Sequence, residues 1–556
     1  MTVCEVSRSS RACALVSLLW ASQLAMGQTP PDAGRILQDT RLPAAQSEPL
    51  AVPPIEASAA PHAKPAASPN DATVQVSQFT FSGNAALSSE TLSLALAPWV
   101  GRPLNFGQLI EAVEAVEARY KKSGFFLAQA NLPPQKIHDG EIEISISEGR
   151  LGETRLEGES LIAANVVYDY LDRLPKQQAL VLAMVERQVL LINELAGSKV
   201  NLDLQAGDLP GTTDVVLTQV ADQPLNGKLE INNYGAPSTG QNRVGLTLLG
   251  NSLFQQGERI TFNTMTSDTS GLLSYTLRGE LPVGGDGWRV SATASRASYS
   301  LGGDFAALDA SGVADSLRAG VAYPLLLSRS KNLRFQLDAD QSHLVDNFRA
   351  SATYLDKQSA GLSLSANADW TDEAGGSNRM DLVLRSARLA LGAAAAQQDT
   401  YATEGDFGKL VFNATRQQSL MARLSLQLGL SWQEASKNLD SSEKFSLGGP
   451  QTMPGYGNGD GIGDAGYQLK LQLRYEALPG LALSLFSNYA NLKLHEAALA
   501  SDASNERILS DYGLGADWAL GKHVSASALM GWPSKVASNP ADNDKPRFWL
   551  TAAYAW

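Results

Sequence analysis

Cysteine is almost missing from this chain: Cys4 and Cys13 are the only two among 556 residues. Both fall in a segment that reads as a secretory leader. Arg8 and Arg11 precede an apolar run from Ala12 to Leu24, and Ala25-Met26-Gly27 makes a small-residue cleavage site before Gln28. Loss of the leader removes every thiol, which excludes disulfides and thiol chemistry from the mature protein. Histidine is scarce too. His62, His138, His343, His495 and His523 are scattered, with no metal-ligand spacing. No nucleophile elbow and no phosphate-binding loop occurs, so we expect no catalytic residue, no cofactor and no metal. Positive charge is in deficit: the net charge of -13 argues against a nucleic-acid partner. Past the leader, no apolar run approaches the ~18 residues of a membrane helix. An exported chain without such a span is a soluble periplasmic protein or a β-barrel.

What is present selects the barrel. From Tyr467 to Glu476, apolar Tyr467, Leu469, Leu471, Leu473 and Tyr475 alternate with Gln468, Lys470, Gln472, Arg474 and Glu476. Side chains on a strand point to opposite faces with a period of two. One face is therefore greasy and the other wet, as lipid outside and a hydrated lumen inside require. Trp288 to Ser295 and Leu333 to Asp340 repeat the pattern, and the chain ends with Phe548, Leu550, Ala552, Tyr554 and Trp556 on one face. From Lys228 onward strand signals recur every 15–25 residues between Gly, Asn, Asp and Ser linkers, about 16 in all. A propeller would have shorter strands with more continuously apolar runs.

Ahead of the barrel the pattern is mixed. Residues 28–73 form a Pro/Ala-rich linker, in which Asp32 to Gln38 could start a helix. From Val74 to Gly149 the order is strand, helix, helix, strand, strand. Val76, Phe79 and Phe81 mark the first strand. Leu109, Val113, Val116 and Tyr120 place a helix over Phe106–Lys122, which makes Lys121 and Lys122 a solvated helix end. Phe126–Ala130 and the run Ile142, Ile144, Ile146 are the later strands. Arg150 to about Ala221 repeats the order. The expected fold is thus a β-rich membrane protein: a leader (1–27), a linker (28–73), two α+β domains (74–149 and 150–222) and an antiparallel transmembrane β-barrel of about 16 strands (226–556). Asp460 and Asp464 lie in a glycine-rich stretch whose spacing fits no calcium loop.

These pieces resemble a known family, the outer-membrane transporters of two-partner secretion of the hemolysin secretion/activation type. Leu132-Pro133-Pro134-Gln135, Asp139-Gly140 and Ser147-Glu148-Gly149-Arg150 resemble the family's first POTRA domain, and Arg187 to Gly197 its second. Asn233-Tyr234-Gly235 with Thr239-Gly240 resembles the start of its barrel. Leu447-Gly448-Gly449-Pro450 and Gly463-Asp464-Ala465-Gly466-Tyr467 bracket a stretch similar to its sixth surface loop. The resemblance implies a translocator. It would catch an unfolded exported polypeptide in the periplasm by strand addition and pass it through the pore. The barrel itself would sit in outer-membrane lipid after insertion by the barrel assembly machinery, as a monomer. It also implies a loop tip at Met453, Pro454, Gly455 and Tyr456, lumen-facing contacts for that loop at Phe486, Asn488 and Ala490, and a candidate plug at Ala33, Gly34, Arg35, Ile36 and Leu37. Two departures stand out. The family's tip reads V-R-G-Y and its strand F-x-D-x-G; Pro454 and Asn488 occupy the places of that Arg and Asp, which the family joins as an ion pair. Losing both avoids a stranded buried charge worth roughly 3–5 kcal/mol. We therefore expect a loop held by hydrogen bonds, with Tyr456 on Asn488, unless another strand supplies a charged partner. An assembly factor for other barrels is the alternative class, and a passive porin a third, although porins need no folded periplasmic domains.

Overall fold

The computed structural model describes residues 30–41, 73–176, 178–209, 211–269, 271–534 and 545–556. The leader and most of the linker lie outside these residues. The linker's one described piece is a helix, α1 (Ala33–Thr40).

The first α+β unit runs β1 (Val74–Gln75), β2 (Gln78–Ser82), α2 (Ser89–Leu96), β3 (Pro103–Leu104), α3 (Phe106–Lys122), β4 (Gln129–Asn131) and β5 (Glu141–Ser147). A capping box starts α3: the Asn105 side chain accepts from the Gln108 amide while Gln108 reaches back to the Asn105 amide. Leu109, Val113, Val116 and Tyr120 face the core as their spacing requires. The strand expected over Phe126–Ala130 is shorter, only Gln129–Asn131, because residues 126 and 127 are spent in the turn that leaves α3. The motif residues have local duties. Gln135 acts as a one-residue strand: its amide both donates to and accepts from the Glu143 backbone, each at 2.8 Å. Glu148 accepts from Tyr120 at 2.8 Å and from the Ala86 amide at 2.6 Å. Burial and that carboxylate together raise the Tyr120 hydroxyl well above its usual range.

The second unit repeats the order with β6 (Arg150–Gly158), α4 (Ala164–Leu171), α5 (Leu182–Asn193), β7 (Ser198–Ala206) and β8 (Thr212–Ala221). Sheet topology matches as well. In the first unit β2 pairs parallel with β5, which pairs antiparallel with β4; in the second β6 pairs parallel with β8, which pairs antiparallel with β7.

The barrel begins with β9 (Leu225–Asn232), β10 (Arg243–Asn251), β11 (Arg259–Ser267), β12 (Leu272–Val283), β13 (Trp288–Ser300), β14 (Ala310–Leu327), β15 (Lys331–Phe348), β16 (Thr353–Thr371), β17 (Ser377–Leu391), β18 (Gly405–Met421) and β19 (Leu424–Ala435). A short hairpin follows, β20 (Phe445–Leu447) and β21 (Gly461–Gly463). The wall resumes with β22 (Ala465–Leu478), β23 (Leu481–Lys493), β24 (Glu506–Leu520), β25 (Val524–Pro533) and β26 (Arg547–Ala555). All but the hairpin join into one closed antiparallel sheet of 16 strands, with β26 returning to β9. Closure pairs every edge, which a sheet in lipid needs. Leu469, Leu471, Leu483 and Leu485 point outward, whereas Gln468, Ser484 and Asn488 are buried on the lumen side. Outward aromatics form two girdles. Trp288 and Tyr323 lie 4.6 Å apart at the periplasmic end, and Tyr512 stacks on Trp532 at 5.9 Å at the other. The tall strands from β13 to β18 differ from the rest in their upper halves. Their outward faces turn polar there, with the exposed ion pairs Arg296–Asp315 and Arg388–Asp406 and a 3.1 Å hydrogen bond between His343 and Asp356. This part of the wall stands above the apolar band.

Candidate functional site

Two elements fill the extracellular half of the lumen: α1 and loop six (residues 436–464). Helix α1 is amphipathic. Ala33, Ile36 and Leu37 pack on Leu272, Tyr299, Ala314 and Leu344 from the inner wall. Its N-terminus is capped twice. Asp32 accepts from the Arg35 amide at 3.0 Å, and Asp346 on β15 accepts from the Ala33 amide at 2.7 Å. Carboxylates at a helix N-terminus complement its dipole. Asp346 also receives the Tyr299 hydroxyl at 2.5 Å. Lys357 on β16 bridges Asp32 and Asp440 of loop six, 2.9 Å to each. Burial works to raise the Asp32 carboxyl, but Lys357, Ser441 and the Arg35 amide outweigh it and hold the group below the usual carboxylate range. At the other end Asp39 meets Arg243 at 3.3 Å.

Helix and loop are interlocked. The Gln38 amide donates to the Ser441 and Lys444 carbonyls at 3.0 and 3.1 Å. Gly34 lies against the loop backbone so closely that a Cβ there would stand 2.7 Å from the Ser442 nitrogen. A side chain at that position would push the two apart.

The loop tip is anchored on the wall from β23 to β26. Met453 and Tyr456 are buried with Ala490, Leu492 and Leu509. Asp511 on β24 is the polar centre. One oxygen accepts from the Gly455 amide and the other from the Asn488 amide, both at 2.7 Å. Trp549 donates its indole N–H to the Pro454 carbonyl at 2.7 Å. Tyr456 donates to the Ser510 carbonyl at 3.1 Å. The expected pairing of Tyr456 with Asn488 is therefore corrected. The Tyr456 hydroxyl is on the Ser510 backbone of β24, and the Asn488 amide is spent on Asp511. Another strand does supply the charged partner: Asn488 serves Asp511, which in turn holds a backbone amide. Of the three inward residues expected to meet the loop, Asn488 and Ala490 are in the tip cluster. Phe486 is not, because its ring lies over Gly513. Asp460 and Asp464 are taken up by Arg547 at 3.5 Å and Lys444 at 2.6 Å. Asp346, Lys357, Asp511 and Trp549 went unrecognised from sequence. Each is one inward residue on an ordinary alternating strand, and only strand register reveals what it meets.

A closed, two-girdled barrel with inward polar side chains, two α+β units at its N-terminal end and a lumen filled from within defines an outer-membrane transporter of the POTRA-plus-barrel class. Comparison with known proteins agrees. The family described as haemolysin secretion/activation protein ShlB/FhaC/HecB matches residues 211–493, and the ShlB-type POTRA domain matches residues 74–149. The chain belongs to this family and is a two-partner secretion transporter of the bacterial outer membrane, with periplasmic N-terminal domains. The heme/hemopexin transporter protein HuxB of Haemophilus influenzae is 23% identical over 480 residues, 84% of each chain. The outer membrane transporter CdiB of Escherichia coli is 30% identical over 179 residues, 32% of this chain and 30% of the relative. The solved structure of CdiB from Escherichia coli aligns over 100% of both chains with a TM-score of 0.69 at 20% identity, and CdiB from Acinetobacter baumannii follows at 0.63 and 15%.

Proposed function

We propose that α1 is a resting plug and loop six a gate, and that an exported polypeptide displaces both as it leaves. The supporting observation is their joint seat across the extracellular half of a polar-lined lumen. The substrate is a large exoprotein, caught unfolded in the periplasm. Edge strands β2 and β7 offer it backbone pairing. On β7 the Asn193 side chain already occupies Val200, donating to its carbonyl and accepting from its amide. An added strand would therefore start at Leu202. No nucleotide is needed: folding of the substrate outside prevents its return. The transporter works as a monomer in outer-membrane lipid, inserted by the barrel assembly machinery, and carries out no catalysis. Planar-bilayer currents test the plug. Deleting residues 28–72 should raise conductance clearly above that of the mature chain. Unchanged conductance would remove the plug role.

A further inference from the structure

The loop tip, Met453 to Tyr456, carries no charged side chain. The base of loop six does. Glu443 is 4% exposed and sits between two cations of the inner wall, 3.1 Å from Arg385 on β17 and 2.8 Å from Lys409 on β18. Its carbonyl oxygen also accepts from Lys409 at 2.8 Å and from the Gln433 amide at 3.1 Å. Three residues earlier, Asp440 holds Lys357. At both contacts the loop supplies the acid and the wall the base. The polarity is opposite to that of the lock implied by resemblance, in which the loop brings an arginine.

From this we infer that Glu443, Arg385 and Lys409 form the ion-pair lock that positions loop six, relocated from the tip to the base with its charges exchanged. The reading of loop six as a gate is its premise. Two features suit the trio to reversible release. Arg385 is held independently by Asp340 on β15 in a two-pronged pair, at 2.6 and 2.9 Å. When Glu443 departs, the guanidinium keeps a wall partner and does not become a stranded charge. Lys409, and Arg41 at the C-terminal end of α1, lose the acid's charge, and Lys409 faces a lumen that fills with water as the loop leaves. Burial would raise the Glu443 carboxyl, but Lys409, Arg385 and Arg41 override it and hold the group at about 2, down from 4.5. With the folded value depressed, the contribution is complete above the unfolded value and is lost as the pH falls toward 2.

The test uses the full-length mature protein in planar bilayers. Glu443→Gln keeps the shape and removes the charge. We expect open events to become about tenfold more frequent or more, as loss of a buried ion pair implies. Glu443→Lys should do the same, and Glu443→Lys with Lys409→Glu should restore quiet channels. A folding defect is separated by a second readout on barrels that migrate as folded in unheated gels. A reporter Met453→Cys should react faster with a membrane-impermeant maleimide in the Glu443→Gln background. A merely structural role would lower the yield of folded barrel and leave that rate unchanged. Wild-type open frequency and wild-type labelling in Glu443→Gln overturn the lock. If deletion of residues 28–72 still raises conductance, the lock alone fails. If neither change moves the currents, the gate reading fails with it.

Discussion

Asn488 donates its side-chain amide to Asp511 across a single pair of neighbouring strands, at 2.7 Å. An acid in that place would set two carboxylates against each other in a buried corner, and like charges so close cannot both stay ionised at low cost. Asn488→Asp should therefore loosen the loop tip, raising the frequency of open events, and Asn488→Asp with Asp511→Asn should return it toward wild type. Bilayer recordings of the two variants decide this; equal currents would remove Asp511 from the anchor. The sequence did reveal the inward phase of Asn488 and the tip tetrapeptide. It could not reveal Asp511. That residue lies 23 positions away on β24, and alternation says which face a residue takes, never which neighbour it meets.

Alternation and capping carried most of the elements. Phe106–Lys122 is a helix because Asn105 and Gln108 close its first turn and its apolar residues recur on one face. Most strands follow from period-two patterns. The hairpin β20–β21 does not: its glycines are there for close approach, as where Gly461 packs under Leu509 and Leu492. The closing seam shows what pattern alone conceals. The pair β26–β9 shares only five register positions, Thr551–Asn232 to Ala555–Lys228. The indole of Trp556 lies flat on Gly227, and the two residues exchange backbone bonds at 3.1 and 3.0 Å. Gly227→Val would lift the indole from the seam. We expect the heat-modifiable gel shift to occur at lower temperature in this variant, with β9 and β26 exchanging amide hydrogens fastest. An unchanged transition would mean that Trp556 adds nothing to closure.

The periplasmic and membrane parts of the molecule are joined by a dock of apolar and charged contacts. The second α+β unit sits on the periplasmic turns of the first half of the barrel. Leu327, the last residue of β14, enters that unit's apolar core. Glu194 reaches Arg334 at 2.6 Å and Arg289 at 3.3 Å, Glu186 meets Arg329 at 2.9 Å, and Arg187 donates to the Pro324 carbonyl at 2.7 Å. Glu194→Ala would leave Arg289 with Glu280 and take from Arg334 the carboxylate it meets at 2.6 Å. Spin labels on α5 and β15 should then report a broader distance distribution; an unaltered one would make the dock purely apolar. The barrel, its tandem periplasmic domains and the loop tip were legible in the order of residues, because each rests on local periodicity, a turn signal or a short motif. The seat of α1, the Asp511 anchor, the exchanged charges at Glu443 and the dock depended on the closed sheet. Those contacts join residues tens to hundreds of positions apart, and closure with a set stagger is what brings such side chains to one height in the same lumen.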